Sequence, residues 1–377
     1  MSAFAAKCEM TANWRIVHSE CSVGWGGQEH RVLAELTGFR KRGAEVRLLA
    51  PVGSEIFQRA KAAGISCEAL TEGRWQFPFA VLKVSAWLRR ERPHIVNTHS
   101  SRDGWLVGLA ARLARVPLLI RSRHIDVDYP NRWLSRHAFT TFADHVITTS
   151  GKITGNFQHL FELSASHIST VPTGIDLQRF HPDGPKAALP LPVEAAGLPL
   201  IGMVSVLRSW KGHSIFFRAA RLFNETGPRA HFVVVGGGAP VEHFKNLARA
   251  EGIGDRVTFT GYREDVPEIL RALDVLAIPS TQHEGVPQVG LQALACRTPV
   301  VGSDVGGIPE IIRDGETGRI FPANDAPRLA AKIQETLSQP EQTRHMAERG
   351  RVLVEAEYSF DAMLNKLDAI YRQYLSR

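Results

Sequence analysis

Residues 283–300 read HEGVPQVGLQALACRTPV. They follow the strand-like run DVLAIPS (274–280) and place His283, Glu284, Gly285 and Pro287 ahead of a helical stretch that carries Gln292. A buried strand that ends in a glycine turn and feeds a helix leaves backbone amides unpaired at the helix start. The helix macrodipole adds partial positive charge there, so the pattern suits an anion. The other strand-like runs of this half end in related groups. Arg208 and Lys211 follow MVSVL, Gly236, Gly237 and Gly238 follow FVVV, Tyr262 and Arg263 follow TFTG, and Gly306 and Gly307 follow VVGSD. Cations, glycine turns and a helix start gathered on one sheet edge describe a diphosphate site. Glu284 and Gln292 add groups that can bind the hydroxyls of a ribose and a sugar.

Singly, each feature has an ordinary explanation. Arg208 and Lys211 alone read as solvated surface, glycine after a buried strand is common in doubly wound sheets, and Glu284 alone reads as a charge partner of a helix start. Their joint occurrence at successive strand ends carries the functional reading.

The elements that must position these residues are legible from periodicity. In the first half WRIVHS (14–19), AEVRLLAP (44–51), HIVNTHS (94–100), PLLIRSRH (117–124) and HVITTS (145–150) read as strands. GGQEHRVLAELTGFRKRG (26–43) and GWLVGLAARLARV (104–116) read as helices. This rhythm predicts a parallel sheet with helices on both faces. Residues 181–199 hold five prolines with no period and read as a linker. The rhythm then restarts, with strands expected at 199–207, 230–238, 256–261, 274–280 and 298–304, and helices near 213–225, 240–251, 265–272 and 325–338. The expected domains are 1–185 and 186–359, with a C-terminal helix (360–377) packing back on the first. Ligands in such α/β sheets bind at strand carboxyl ends, so two doubly wound domains facing across a cleft are the expected frame.

A length of 377 residues fits two domains, and 44% hydrophobic with 22% charged residues fits a globular protein. The four cysteines, Cys8, Cys21, Cys67 and Cys296, lack the spacing of a zinc site or a disulfide framework. MSAFAAKCEM reads as a short tail rather than a signal segment, and the apolar run at 105–120 is interrupted by Arg112 and Arg115. The net charge of +7 is uneven: residues 1–185 hold 23 Lys+Arg against 16 Asp+Glu, a surplus of 7, whereas residues 186–377 hold 22 of each. The basic half is expected to meet something acidic.

RSWKGH, VVVGGG and FTGYREDVPEILRALDVLAIPSTQHEGVPQVGLQALACRTPVVGSDVGGIPEIIRDGETG together resemble the C-terminal half of the retaining glycosyltransferases of family 4. GWGGQEHRV, NTHSS and IRSRHI extend the resemblance into the first half. The resemblance implies the GT-B architecture, with a nucleoside diphosphate sugar as donor and no metal cofactor. It implies that Arg208 and Lys211 bind the diphosphate and stabilise the leaving group. Glu284 opens the family's Glu-x7-Glu motif and holds donor-sugar hydroxyls, while Gly285, Val286, Pro287, Gln288 and Val289 bring amides to phosphate or sugar. Gly236, Gly238, Tyr262 and Arg263 complete the donor side. The family's second glutamate, which binds ribose, is Gln292 here, so that contact is neutral. In the first domain the resemblance implies that Gly26 and Gly27 let backbone approach the donor and that His124 lies near the reacting sugar. His99 and Asp103 are weaker candidates for acceptor contacts. Asp126-Val127-Asp128 imitates a metal-binding Asp-x-Asp, but it lies outside the donor domain.

The reading is a retaining, metal-independent transfer of a sugar to a hydroxyl acceptor, expected to be a glycolipid or oligosaccharide of surface polysaccharide or lipopolysaccharide. The expected place is the cytoplasm, peripheral on the inner membrane face. FPFAVLKVSAWLRRERPH (77–94), with bulky apolar residues beside Arg89, Arg90 and Arg92, is the expected contact with anionic lipid. Two alternatives stay open. A sugar-nucleotide 2-epimerase would turn over donor without acceptor, and a donor-binding protein without catalysis would neither transfer nor hydrolyse. Nucleic acid is not expected as a partner, because no recognisable module or aromatic interleaving accompanies the charge.

Overall fold

The computed structural model describes residues 13–70, 77–125, 132–227, 229–238 and 240–375. The N-terminal tail and Asp126-Val127-Asp128 lie outside the described residues. The chain divides into two compact units, residues 1–172 with 363–377, and residues 173–362.

Among the described residues the first unit carries seven parallel strands: β1 (Arg15–Ser19), β2 (Glu45–Ala50), β3 (Ser66–Ala69), β4 (Ile95–Thr98), β5 (Leu118–Arg123), β6 (His145–Thr148) and β7 (Ile168–Thr170). Their order is β3-β2-β1-β4-β5-β6-β7. Strands β1, β2, β4 and β5 carry short apolar runs (Ile16-Val17, Leu48-Leu49, Ile95-Val96 and Leu118-Leu119-Ile120), and most of their residues are buried, as a sheet covered on both faces requires. Val17, Leu49, Val96 and Leu119 pack with Val84, Trp87 and Leu88 of the helix Phe77–Glu91 and Val107 of the helix Ser101–Ala114. Phe139, Phe157 and Phe161 form a second cluster beside β6 and β7. The helix Phe360–Leu375 belongs to this unit from Met363 onward. Trp14 Nε1 donates to Asp368 (3.2 Å), Tyr374 bonds His145 Nδ1 (3.1 Å), and Tyr371 lies 5.3 Å from Phe39, ring to ring.

The second unit carries six parallel strands: β8 (Leu200–Val204), β9 (His231–Val235), β10 (Val257–Gly261), β11 (Val275–Ile278), β12 (Val300–Ser303) and β13 (Arg319–Phe321), in the order β10-β9-β8-β11-β12-β13. Alternation decides its two cores. Phe232 and Val234 face Phe216, Phe217 and Phe223, whereas Val233 and Val235 face the side that holds Leu291, Leu294 and Ile311.

The segment expected as a linker is a strap on the second core. Ala187, Leu189 and Leu191 pack against it, Ala187 N donates to Glu268 O (2.9 Å), and Arg271 donates to the carbonyls of Pro185 and His181. The unit therefore begins at Thr173, ahead of the expected 186, with Ile175 and Phe180 already in its core. Its prolines lower the cost of ordering an irregular strand of chain, which explains the misleading composition.

Candidate functional site

The strand-end residues of the second unit are knit together by close backbone approaches. After β8, Arg208 leads into a short turn (Ser209–Lys211) closed by Gly212 in the left-handed region (φ +80). A Cβ on Gly212 would lie 1.8 Å from Pro279 O, so only glycine lets this turn lean on the end of β11. That contact delivers Lys211 to Glu284. Lys211 Nζ donates to Glu284 Oε1, and Ser280 Oγ donates to the same oxygen (2.6 Å). Glu284 is buried at 5% exposure, whereas Lys211 keeps 24% of its side chain in solvent. A carboxylate so placed needs its cation, because an unpaired buried charge is strongly unfavourable.

The loop that presents Glu284 is pinned on both sides. Ser303 Oγ donates to Ser280 O (2.7 Å), and Gly306 (φ +57) lies so close that a Cβ would stand 2.1 Å from Glu284 O. Thr281 N donates to Trp210 O (2.8 Å), and His283 (φ +58) meets Trp210 edge-on at 6.1 Å. A β-substituted residue held at positive φ is a strained backbone, kept only where the surroundings over-determine it. Arg208 is exposed and stacks its guanidinium 5.0 Å from the Trp210 ring centre.

Pro287 caps the helix Gln288–Ala295, whose first internal bonds run from Gly290 N and Leu291 N to Pro287 O. Val289 and the residues ahead of it precede the first amides bonded within the helix, as at any helix start. Gly285, Val286 and Pro287 are buried, Gln288 and Val289 half-buried, and Gln292 is half-buried one turn further on. Gly236 (φ +145) and Gly238 (φ +129) have an internal reason to be glycine: a Cβ on Gly236 would lie 1.9 Å from Ser205 O, and one on Gly238 2.9 Å from Val206 Cγ1. Tyr262 is half exposed. Arg263 is spoken for by Asp265, through Nε–Oδ1 at 2.7 Å and Nη2–Oδ2 at 2.5 Å, which raises the guanidinium pKa and lowers that of the carboxyl. The structure thus groups Arg208, Lys211 and Glu284, and gives Arg263 a local partner instead.

In the first unit, Gly26 is extended (φ −148) and caps the helix Gly27–Lys41, its N–H donating to Glu29 Oε2 (2.8 Å). His99 and His124 follow β4 and β5. Nδ1 of His99 and Nε2 of His124 share a hydrogen bond at 2.9 Å, and Nε2 of His99 shares another with Nδ1 of His18 at 2.8 Å. All three rings are buried, and burial lowers their pKa values, that of His18 to about 4. Asp103 is turned inward: its carboxylate accepts from His99 N (2.9 Å), Ser19 Oγ (2.6 Å), Ser100 N (2.8 Å) and Ser100 Oγ. It braces the loop after β4 rather than presenting itself to an acceptor. Beside it, burial and the Asp103 charge push the Glu20 carboxyl up to about 8.

Sequence reasoning missed Ser280, Gly212, His18 and the buried Arg31–Glu35 pair. Gly212 could have been found, since it closes a short turn in front of a helix. His18 reads as one strand residue among five, and its neighbours emerge only from the strand order.

A model for glycosyl transferases group 1 matches residues 192–353, and one for glycosyltransferase family 4 matches residues 25–179. The alpha-D-kanosaminyltransferase of Streptomyces kanamyceticus is 27% identical, aligned over 78% of this chain and 81% of its own. A D-inositol 3-phosphate glycosyltransferase of Mycobacterium sp. (strain KMS) is 29% identical over 85% and 80% of the two chains. Among solved structures, a glycosyltransferase from Rickettsia africae superposes with a TM-score of 0.84 at 19% identity, covering 97% of this chain and 99% of the other. Anabaena HepE, solved with UDP and glucose, superposes at 0.83 with 20% identity, covering 96% and 100%. The chain is therefore a sugar-transferring enzyme with two Rossmann-like halves of the GT-B type. It belongs to the glycosyltransferases of the family 4 kind.

Proposed function

We propose that the protein moves a sugar from a nucleoside diphosphate sugar to a hydroxyl acceptor, with retention of configuration and without a metal. The observation that carries this reading is the Lys211–Glu284 pair at the ends of β8 and β11, beside the exposed guanidinium of Arg208. Charge building on a departing diphosphate is what catalysis must neutralise, and two fixed cations can do so in place of a divalent ion. In this reading Glu284 accepts from donor-sugar hydroxyls, the amides of residues 285–289 face phosphate or sugar, and Gln292 meets the ribose. Among the assigned residues none is an evident covalent nucleophile. The acceptor hydroxyl then attacks on the face from which the diphosphate leaves, and a phosphate oxygen takes its proton. His124 meets the reacting sugar, as the family resemblance implies.

For the acceptor we propose a glycolipid or oligosaccharide met at an anionic, cytoplasmic membrane face. The helix Phe77–Glu91 supports this with Phe79 (74% exposed) and Leu82 (61%) standing outward beside Lys83, Arg89 and Arg90. Among the described residues, no helix is long and apolar enough to cross a membrane.

The test is donor turnover with UDP-, GDP- and ADP-sugars, in chelator and with Lys211→Ala. Activity is expected to survive chelation. Loss of one charge-assisted contact, worth about 1.5–3 kcal/mol, lowers kcat/KM of Lys211→Ala by roughly 10- to 150-fold. Chelator-sensitive activity, or a fully active Lys211→Ala, contradicts the reading.

A further inference from the structure

Three imidazoles in the first unit form a chain that the reaction scheme above leaves unexplained. His18 pairs in register with Asn97, and Asn97 with Ile120. Side chains alternate along a strand, so His99, two residues past Asn97, and His124, four past Ile120, point to the same sheet face as His18. The rings stack at 4.9 and 5.2 Å, and the two N···N contacts are 2.8 and 2.9 Å. Behind His18, Glu35 Oε2 lies 3.8 Å from Nδ1, while Glu35 Oε1 accepts from Arg31 Nε (2.6 Å). Exposure rises along the chain, from 0% at His18 to 1% at His99 and 9% at His124.

His18, Glu35 and His99 also have the composition of a metal site, with ligand atoms within 4.8 Å of one another. The geometry speaks against it. Two nitrogens on one tetrahedral zinc stand about 3.3 Å apart, given bonds of about 2.05 Å. The observed 2.8 Å is the spacing of a shared proton, and Arg31 already supplies the positive charge.

Three neutral rings carry three protons on six nitrogens. Each N···N contact holds one proton only if all three rings are protonated on Nδ1, or all three on Nε2. Two features select the first arrangement. The Glu35 carboxylate attracts a proton to His18 Nδ1 and repels a lone pair there. The second arrangement would also put an N–H on His18 Nε2, which is buried without a partner.

We propose that Glu35, His18 and His99 are positioning residues that lock the imidazole of His124 as an Nδ1–H donor toward a sugar oxygen. This rests on the reading that His124 meets the reacting sugar. The lock fixes which hydrogen bond His124 can offer without reorganisation at the moment of reaction.

Side-chain 15N NMR of the full-length protein at pH 7, with His124 identified by His124→Gln, reads the tautomers directly. The expected result is a protonated Nδ1 and a bare Nε2 in the wild type. Glu35→Gln and His18→Phe are expected to give mixed tautomers at His124. A wild-type His124 that is protonated on Nε2, or on both nitrogens, overturns the lock. So does a His124 that remains pure Nδ1–H in both variants. In donor kinetics His18→Phe is expected to lower kcat roughly three- to tenfold, the value of one misdirected hydrogen bond, with KM changed less than about twofold. Mixed tautomers with unchanged kcat would uphold the lock and overturn instead the assignment of His124 to the sugar.

Discussion

Lowering the pH from 7 to 5 tests the buried histidines through folding alone. Burial outweighs the attraction of Glu35 and keeps the His18 pKa at about 4, against 6.5 for the free ring. The unfolded chain therefore takes up a proton at this ring before the folded chain does. With the folded value depressed, the ring's contribution to stability is constant above pH 7, falls as the pH drops through 6.5, and levels off below about 4. At pH 5 the unfolded ring is about 97% protonated and the folded ring about 10%, so the loss between pH 7 and 5 is about 2 kcal/mol for His18 alone. His99 and His124, also lowered by burial, act in the same direction. Urea unfolding at both pH values, in wild type and His18→Phe, isolates the contribution. The variant will be less stable in absolute terms, since it leaves His99 Nε2 unpaired. Its drop in stability from pH 7 to 5 is expected to be smaller than the wild type's by about 2 kcal/mol. Equal drops in the two proteins would show that His18 titrates normally when folded and would refute the argument.

Gly306→Ala sets a methyl 2.1 Å from the Glu284 carbonyl at φ +57, so it is expected to cut kcat at least tenfold, while Gly315→Ala, with open space around its Cβ, serves as a control for positive φ. Glu20 has the opposite sign to the histidines: its folded pKa of about 8 exceeds the free value of 4.5, so it stabilises below pH 4.5 and that stability is lost as pH rises to 8. Glu20→Gln, which mimics the protonated carboxyl beside Ser22 and Gln28, is expected to raise the melting temperature more at pH 8 than at pH 5; equal shifts would refute the raised pKa. Burying an exposed apolar side chain in lipid contributes about 1.5–3 kcal/mol, so Phe79→Ser with Leu82→Ser should weaken flotation with anionic vesicles more than tenfold, and unchanged flotation would remove this helix from the docking surface.

The alternation of buried strands and helices was legible because a sheet covered on both faces leaves continuous apolar runs such as HFVVV and DVLAI. The short outer strands β3, β7 and β13 escaped notice: SCEA, IST and RIF are too brief for a period to show. The strap at 181–199 was misjudged for a related reason. The strap is held by Ala187 N on Glu268 O and by the Arg271 guanidinium on the carbonyls of Pro185 and His181, partners that no local pattern announces. At the site, Lys211 and Glu284 could be named from residue type and strand position, but not their pairing, which depends on Gly212 leaning on Pro279. The inward turn of Asp103 was hidden because its donors, Ser19 and His99, arrive from different strands.

The first unit is discontinuous in sequence, completed by residues 363–377, while the second is one unbroken stretch, 173–362. On a ribosome, which releases the chain from its N-terminus, the second unit is fully available before the first can be finished. Trp14 and Phe39 must wait for Asp368 and Tyr371, which emerge after the whole of the second unit. A premature stop near residue 360 would then produce a nearly complete second unit together with a first unit whose apolar flank is uncovered. Such a product is a natural target for chaperones and proteases, so the helix Phe360–Leu375 decides whether the first unit escapes them.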